Sequence, residues 1–170
     1  MPKTYEPIAT TTVGTATNTV SFSSISGSYT DLIAVVSAAA SALSEIDIRM
    51  GNGSVDTGSN YSQTWLTGDG TSATSARDSN RNRMRLNYNS LISTTLGNDV
   101  HIFQFMNYAN TTTNKTVLYR GNSAAYGTDA SVGLWRGTSA INVITFYANV
   151  DGTKTFSTGS IFTLYGIKAA

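Results

Sequence analysis

Apolar residues occur in short blocks along the chain, rich in β-branched and aromatic side chains and separated by clusters of Gly, Asn, Ser, Thr and Asp. Such blocks, recurring at intervals of about 8–12 residues, predict the strands of a sandwich or barrel. The strands fall near residues 7–13, 18–23, 29–38, 45–51, 62–68, 82–92, 99–108, 114–121, 130–136, 140–149 and 160–168. Gly51-Asn52-Gly53, Gly68-Asp69-Gly70, Gly97-Asn98-Asp99 and Asp151-Gly152 predict tight reversals, because Gly, Asn and Asp accept turn backbone readily. The alanine-rich stretch Ser37–Ser44 predicts a loop or a single helical turn. Asp56–Asn82 holds few large apolar residues beyond Tyr61, Trp65 and Leu66, which predicts a long polar excursion of the kind used for interaction. With no repeat, linker or charge block dividing it, the chain predicts one domain over 1–170, with residues 1–7 a candidate contact arm.

Several blocks are apolar on both faces. In Val100–Tyr108, His101, Phe103 and Phe105 share one face, while Val100, Ile102, Met106 and Tyr108 share the other. Ile141–Tyr147 likewise sets Ile141, Val143 and Tyr147 against Ile144 and Phe146. A strand in one layer contact needs a single apolar face. The second face predicts a further cover, and a neighbouring subunit is the favoured one.

Composition narrows the chemistry. The surface draws its polarity from neutral groups: 26 Thr, 21 Ser, 14 Asn and 15 Gly make up nearly half the chain, whereas only 12% of residues are charged. A net charge of +1 argues against a general nucleic-acid binder. The lack of cysteine removes disulfides and thiolate chemistry, and one histidine removes a His-only metal cluster. No apolar run approaches a membrane span, and the amino terminus carries no signal-peptide core, so the expectation is a soluble protein.

Candidate catalytic groups are sparse. His101 follows Asp99 in an apolar block without a nucleophile elbow, and a hydrogen-bonded sheet histidine is the favoured reading. Glu45 and Asp47 lie roughly 6.8 Å apart if on one strand face, a spacing compatible with glycoside hydrolysis but commoner on a solvated strand. Loop carboxylates Asp56 and Asp69 suit a hard cation such as Ca²⁺, although no sequential calcium loop is present. The sequence therefore predicts no enzyme, cofactor or metal.

Two sets of residues point to binding. Arg77, Arg81, Arg83 and Arg85 lie within nine positions, the last two alternating with Met84 and Leu86. They form either a charged edge that resists aggregation or a row that docks on an acidic protein surface. Tyr61, Trp65 and Trp135 are candidates for an interface or for stacking on a glycan, and for Trp135, in a short strand, a place in a core or interface is the favoured reading.

Three segments resemble a family of small virion structural proteins of tailed bacteriophages, including cyanophages. They are Tyr5–Thr10 leading to Val20–Ile25 and Tyr29–Leu32; Asp56–Ser62 followed by Leu66–Ser72; and Gly159–Ile167. Tyr108–Leu118 fits the same pattern. The resemblance implies a jelly-roll-like antiparallel β-sandwich, all-β and trimeric, made in the host cytoplasm and carried on the virion. The role it implies first is a capsid decoration (cement) protein on the outer head surface. Its partners there would be itself as a homotrimer and the major capsid protein, with neither membrane nor nucleic acid. The alternative is a receptor- or glycan-binding module of a tail fibre or spike. The Arg81–Arg85 row is no feature of that family, and no catalytic residue accompanies the resemblance.

Overall fold

Period-two burial shapes the molecule. A computed structural model describes residues 4–88 and 91–168, and the described residues contain strands and no helix. In chain order the strands are β1 (Tyr5–Thr12), β2 (Thr19–Phe22), β3 (Asp31–Ser37), β4 (Asp47–Asn52), β5 (Ser54–Val55), β6 (Tyr61–Gly68) and β7 (Ala73–Arg81). They continue with β8 (Met84–Arg85), β9 (Asp99–Met106), β10 (Lys115–Ser123), β11 (Gly127–Trp135), β12 (Val143–Tyr147) and β13 (Ile161–Ile167). The wide sheet runs β1-β13-β3-β9-β10-β11-β6-β7; the narrow one runs β2-β12-β4-β5, with β8 also on β4. All pairings are antiparallel, so the protein is an all-β antiparallel sandwich.

On the central strands of the wide sheet, every second residue is buried toward the narrow one. On β3 these are Leu32, Ala34 and Val36; on β9, His101, Phe103 and Phe105; on β13, Phe162 and Leu164, all fully buried. The layers are joined by packed rings. Phe146 of β12 meets Phe103 at 5.4 Å, Phe162 at 5.6 Å and Phe22 at 6.3 Å between centroids. Each such ring contributes roughly 1.5–3 kcal/mol by leaving water. Two glycines mark close approaches: a Cβ at Gly133 would overlap the Met84 thioether, and one at Gly166 the Tyr29 ring.

The elements differ from the sequence expectation in three places. Asp56–Asn82 is no polar excursion but largely the β6–β7 hairpin, whose outer strand is exposed on both faces and held by its ladder to β6. The predicted strand 82–92 shrinks to β8, because Leu86 and Asn87 leave the sheet to bury themselves; residues 89–90 lie outside the described residues. The contact arm is not free either. Tyr5, Glu6 and Pro7 pair with Ile167, Gly166 and Tyr165 as part of edge strand β1, where proline's missing N–H is tolerated, while residues 1–3 lie outside the described residues. The alanine stretch is a buried loop bridged by Ala40 to Phe156.

Candidate ligand-binding groove

The predicted arginine row is dismantled by the fold. Arg83 Nε lies 2.9 Å from Asp47 Oδ1, Arg85 reaches Glu45 at 3.2 Å and Asp47 at 3.7 Å, and Arg81 pairs with Asp78 at 2.7 Å. Strand β8 sits beside β4, so its arginines fall onto the acids at the start of that strand. Only Arg77 of the four is exposed with no acidic partner among the described residues. The same pairing occupies the Glu45/Asp47 carboxylates. Asp47 also accepts the Val150 N–H at 2.9 Å, and burial raises its carboxyl above the usual range against the pull of Arg83 and Arg85.

The three candidate stacking aromatics are core residues. Tyr61 is fully buried, and its hydroxyl accepts the Met50 N–H at 3.1 Å and donates to the Asp56 carbonyl at 2.9 Å. Trp135 is buried and donates its indole N–H to Asp56 at 2.8 Å. Trp65 is buried with its ring 5.7 Å from Tyr88. All three are on the inner side of β6 or β11, because odd positions of those strands face the narrow sheet. None is available to a sugar.

The loop carboxylates serve turns. Asp56 receives hydrogen bonds from Gly58 N–H, Asn60 and Trp135; Asp69 receives the Thr71 and Ser72 N–H groups at 2.8 and 2.7 Å. Those two N–H groups hold the Asp69 carboxyl below its ordinary range. His101 is also structural in placement. It is fully buried, its Nδ1 is 2.7 Å from the Tyr119 hydroxyl, and burial lowers its pKa to about 4 despite Asp99 and Asp129.

What remains open is the outer face of the wide sheet. A groove of about 630 Å³ crosses it from Tyr5 and Ile33 to Ser75, floored by Ile102, Leu118, Leu66, Ala130 and Val132. Register explains the alignment: Ile33, Gln104, Leu118, Val132, Thr64 and Arg77 form one cross-strand row. Val35, Ile102, Arg120, Ala130, Leu66 and Ser75 form the next. Leu66 is 59% exposed, far from the burial its size favours. Smaller hollows at Val100–Asn122–Thr128 and at Leu66–Ala73–Thr128 share residues with the groove and extend it. They lead to a recess of about 390 Å³ between the β6–β7 and β10–β11 turns, beside Asp69 and the exposed Tyr126. Set into the apolar floor are Thr64, Ser75, Gln104, Arg120 and Asn122, whose side chains make no hydrogen bond to other described residues. A ligand with an apolar flank and many hydroxyls matches that surface.

Sequence reasoning did not single out Leu66, Gln104, Leu118, Arg120 or Val132 as a site. Their signal was the second apolar face of strands such as 99–108, which pointed to subunit contact.

No protein-family model matches the chain, and no curated protein sequence matches it. Among solved structures, CG-16, a homodimeric agglutinin from chicken liver, aligns with 85% of this chain and 98% of its own, at 9% identity and a TM-score of 0.38. The Caenorhabditis elegans galectin LEC-6 aligns over 94% and 96%, at 10% identity and a TM-score of 0.33. The likeness is a loose one of architecture. The capsid-decoration expectation is corrected. Three of the four arginines meant to dock on a capsid, Arg81, Arg83 and Arg85, are spent on internal ion pairs.

Proposed function

We propose that the protein is a non-enzymatic glycan-binding module that holds an extended oligosaccharide along the outer face of its wide sheet. The observation that carries this reading is the groove itself: an apolar floor interrupted by uncommitted hydroxyl, amide and guanidinium groups. A pyranose ring offers the complement, with C–H groups on its faces and hydroxyls at its rim. Ring faces would lie on Leu66, Leu118 and Val132, and hydroxyls would reach Thr64, Gln104, Ser75 and Asn122. Binding rather than turnover is supported by the carboxylates near β4 being ion-paired and His101 being buried on the opposite side of the sheet.

The resemblance to phage virion proteins supplies a setting, a fibre or spike that contacts the host surface. Self-association belongs to the same proposal, since sites of weak affinity gain strength when several copies act together.

A glycan array probed with the purified protein tests the reading, followed by calorimetry on the ligands it selects. Leu118→Asp puts a charge on the groove floor without touching the core. It is expected to weaken binding at least tenfold with an unchanged thermal midpoint. Full binding by Leu118→Asp, or a blank array, would overturn the reading.

A further inference from the structure

The fold neutralises its cations unevenly. Arg81, Arg83, Arg85, Lys154 and Lys168 are engaged with Asp78, Asp47, Glu45 and Glu6. Among the described residues, Arg49, Arg77, Lys115, Arg120 and Arg136 have no carboxylate partner; the buried Lys115 ammonium donates to the Thr113 and Thr138 carbonyls at 2.6 and 3.0 Å. Arg49 belongs to the narrow sheet, where it donates to the Asn82 carbonyl at 2.8 Å and lies over the Tyr147 ring at 5.4 Å. The other three converge on the groove side of the wide sheet.

Arg120 stands in the middle, level with Ile102 and Ala130. Arg77 is opposite Thr64 on the edge strand, three strands from Arg120, or roughly 14 Å at the usual strand spacing. Arg136 follows the last residue of β11 and donates to the Ser62 hydroxyl at 2.6 Å, one outward position from Thr64. Two carboxylates border this face: Asp31, which accepts the Asn107 N–H at 2.6 Å, and Asp69, which accepts the Thr71 and Ser72 N–H groups. These neutral donors do not cancel their charge, but neither carboxylate pairs with one of the three arginines. In a chain of net charge +1, one face thus concentrates unpaired positive charge.

We infer that the groove selects an anionic glycan, a chain whose sugars carry carboxylate or sulfate groups. The inference rests on the glycan-binding reading and names its ligand class. Guanidinium groups meet planar carboxylates in paired hydrogen bonds and hold sulfate oxygens equally well. All three guanidinium groups are exposed, so their attraction for an anion is screened by salt. Spacing the arginines along the groove, rather than clustering them, suits charges that recur along an extended chain.

Calorimetry on matched pairs tests it: a galacturonate hexamer against its carboxyl-reduced galactose counterpart, and a chondroitin sulfate hexamer against its desulfated form. At least one charged member should bind ten times more tightly than its partner, with the advantage shrinking as salt rises. Which pair responds separates carboxylate from sulfate recognition. Arg77→Gln/Arg120→Gln should remove the preference and leave the thermal midpoint unchanged. Equal binding within both pairs would overturn the anionic inference and leave the glycan reading standing; no binding to any member, with a blank glycan array, would remove both. A single-stranded oligonucleotide of matched charge binding as tightly as the best hexamer would also overturn it, in favour of nucleic acid.

Discussion

At the scale of single residues, His101 shows how burial outweighs charge. Asp99 and Asp129 pull its pKa up, yet the loss of water dominates and holds it at about 4, well below the ordinary value near 6.5. The native state therefore binds fewer protons than the unfolded chain between those two values. The resulting stability is present above pH about 6.5 and is lost as pH falls toward about 4. Urea midpoints should drop by an amount worth about 2 kcal/mol between near pH 7.5 and near pH 5. A His101→Phe variant should lose most of that slope; an equally steep decline in the variant would assign the pH dependence to other groups. The sequence did show His101 to be a sheet histidine, because it lies within an apolar strand block and no nucleophile elbow accompanies it. It favoured a core or interface place for Trp135 but did not show Trp65 and Tyr61 to be core. An aromatic in a strand reads the same on either face until the pairing partner sets its side.

At the scale of elements, the alternating strands were legible and the silent ones were not. β3, β9 and β13 announce themselves through Leu32–Val36, Phe103–Phe105 and Phe162–Leu164, whose period matches the pleat. β7 carries Ala, Thr, Ser, Asn, Asp and Arg only, since an edge strand open on both faces has nothing apolar to bury. β8 was over-read for the opposite reason: Met84 and Leu86 look like a strand face but pack under a departing loop. Local pattern also could not foresee that β8 would lie beside β4 and place Arg83 on Asp47. That contact predicts a stability effect. Arg83→Glu would bring a second negative charge beside a carboxylate already short of water, at a cost of about 3 kcal/mol or more in chemical denaturation. A midpoint within experimental error of the parent would show the pair to be incidental.

At the scale of the whole molecule, one layer is closed and the other face is open. The narrow sheet covers the inner side of only part of the eight-stranded sheet, and no described residue covers the outer side, where Leu66, Leu118 and Val132 stay exposed. The doubly apolar block Val100–Tyr108 was a true signal of that face, whereas Ile141–Tyr147 belongs to the narrow sheet and is largely buried there. What the pattern could not convey was the polar groups placed on that face by cross-strand register, because Gln104, Arg120 and Thr64 lie far apart in the chain and meet only in the sheet. The capsid reading failed at this scale, three of its four docking arginines having been consumed within the fold.

The most direct test of the central claim is to map where an oligosaccharide sits. Backbone amide shifts of the labelled protein, followed by NMR during titration with the galacturonate and chondroitin sulfate hexamers and their neutral partners, report this residue by residue. The account predicts saturable shifts confined to β6, β9, β10 and β11 around Thr64, Leu66, Gln104, Leu118, Arg120 and Val132. Shifts centred on the narrow sheet, or none with any of the four hexamers at millimolar concentration, would contradict it.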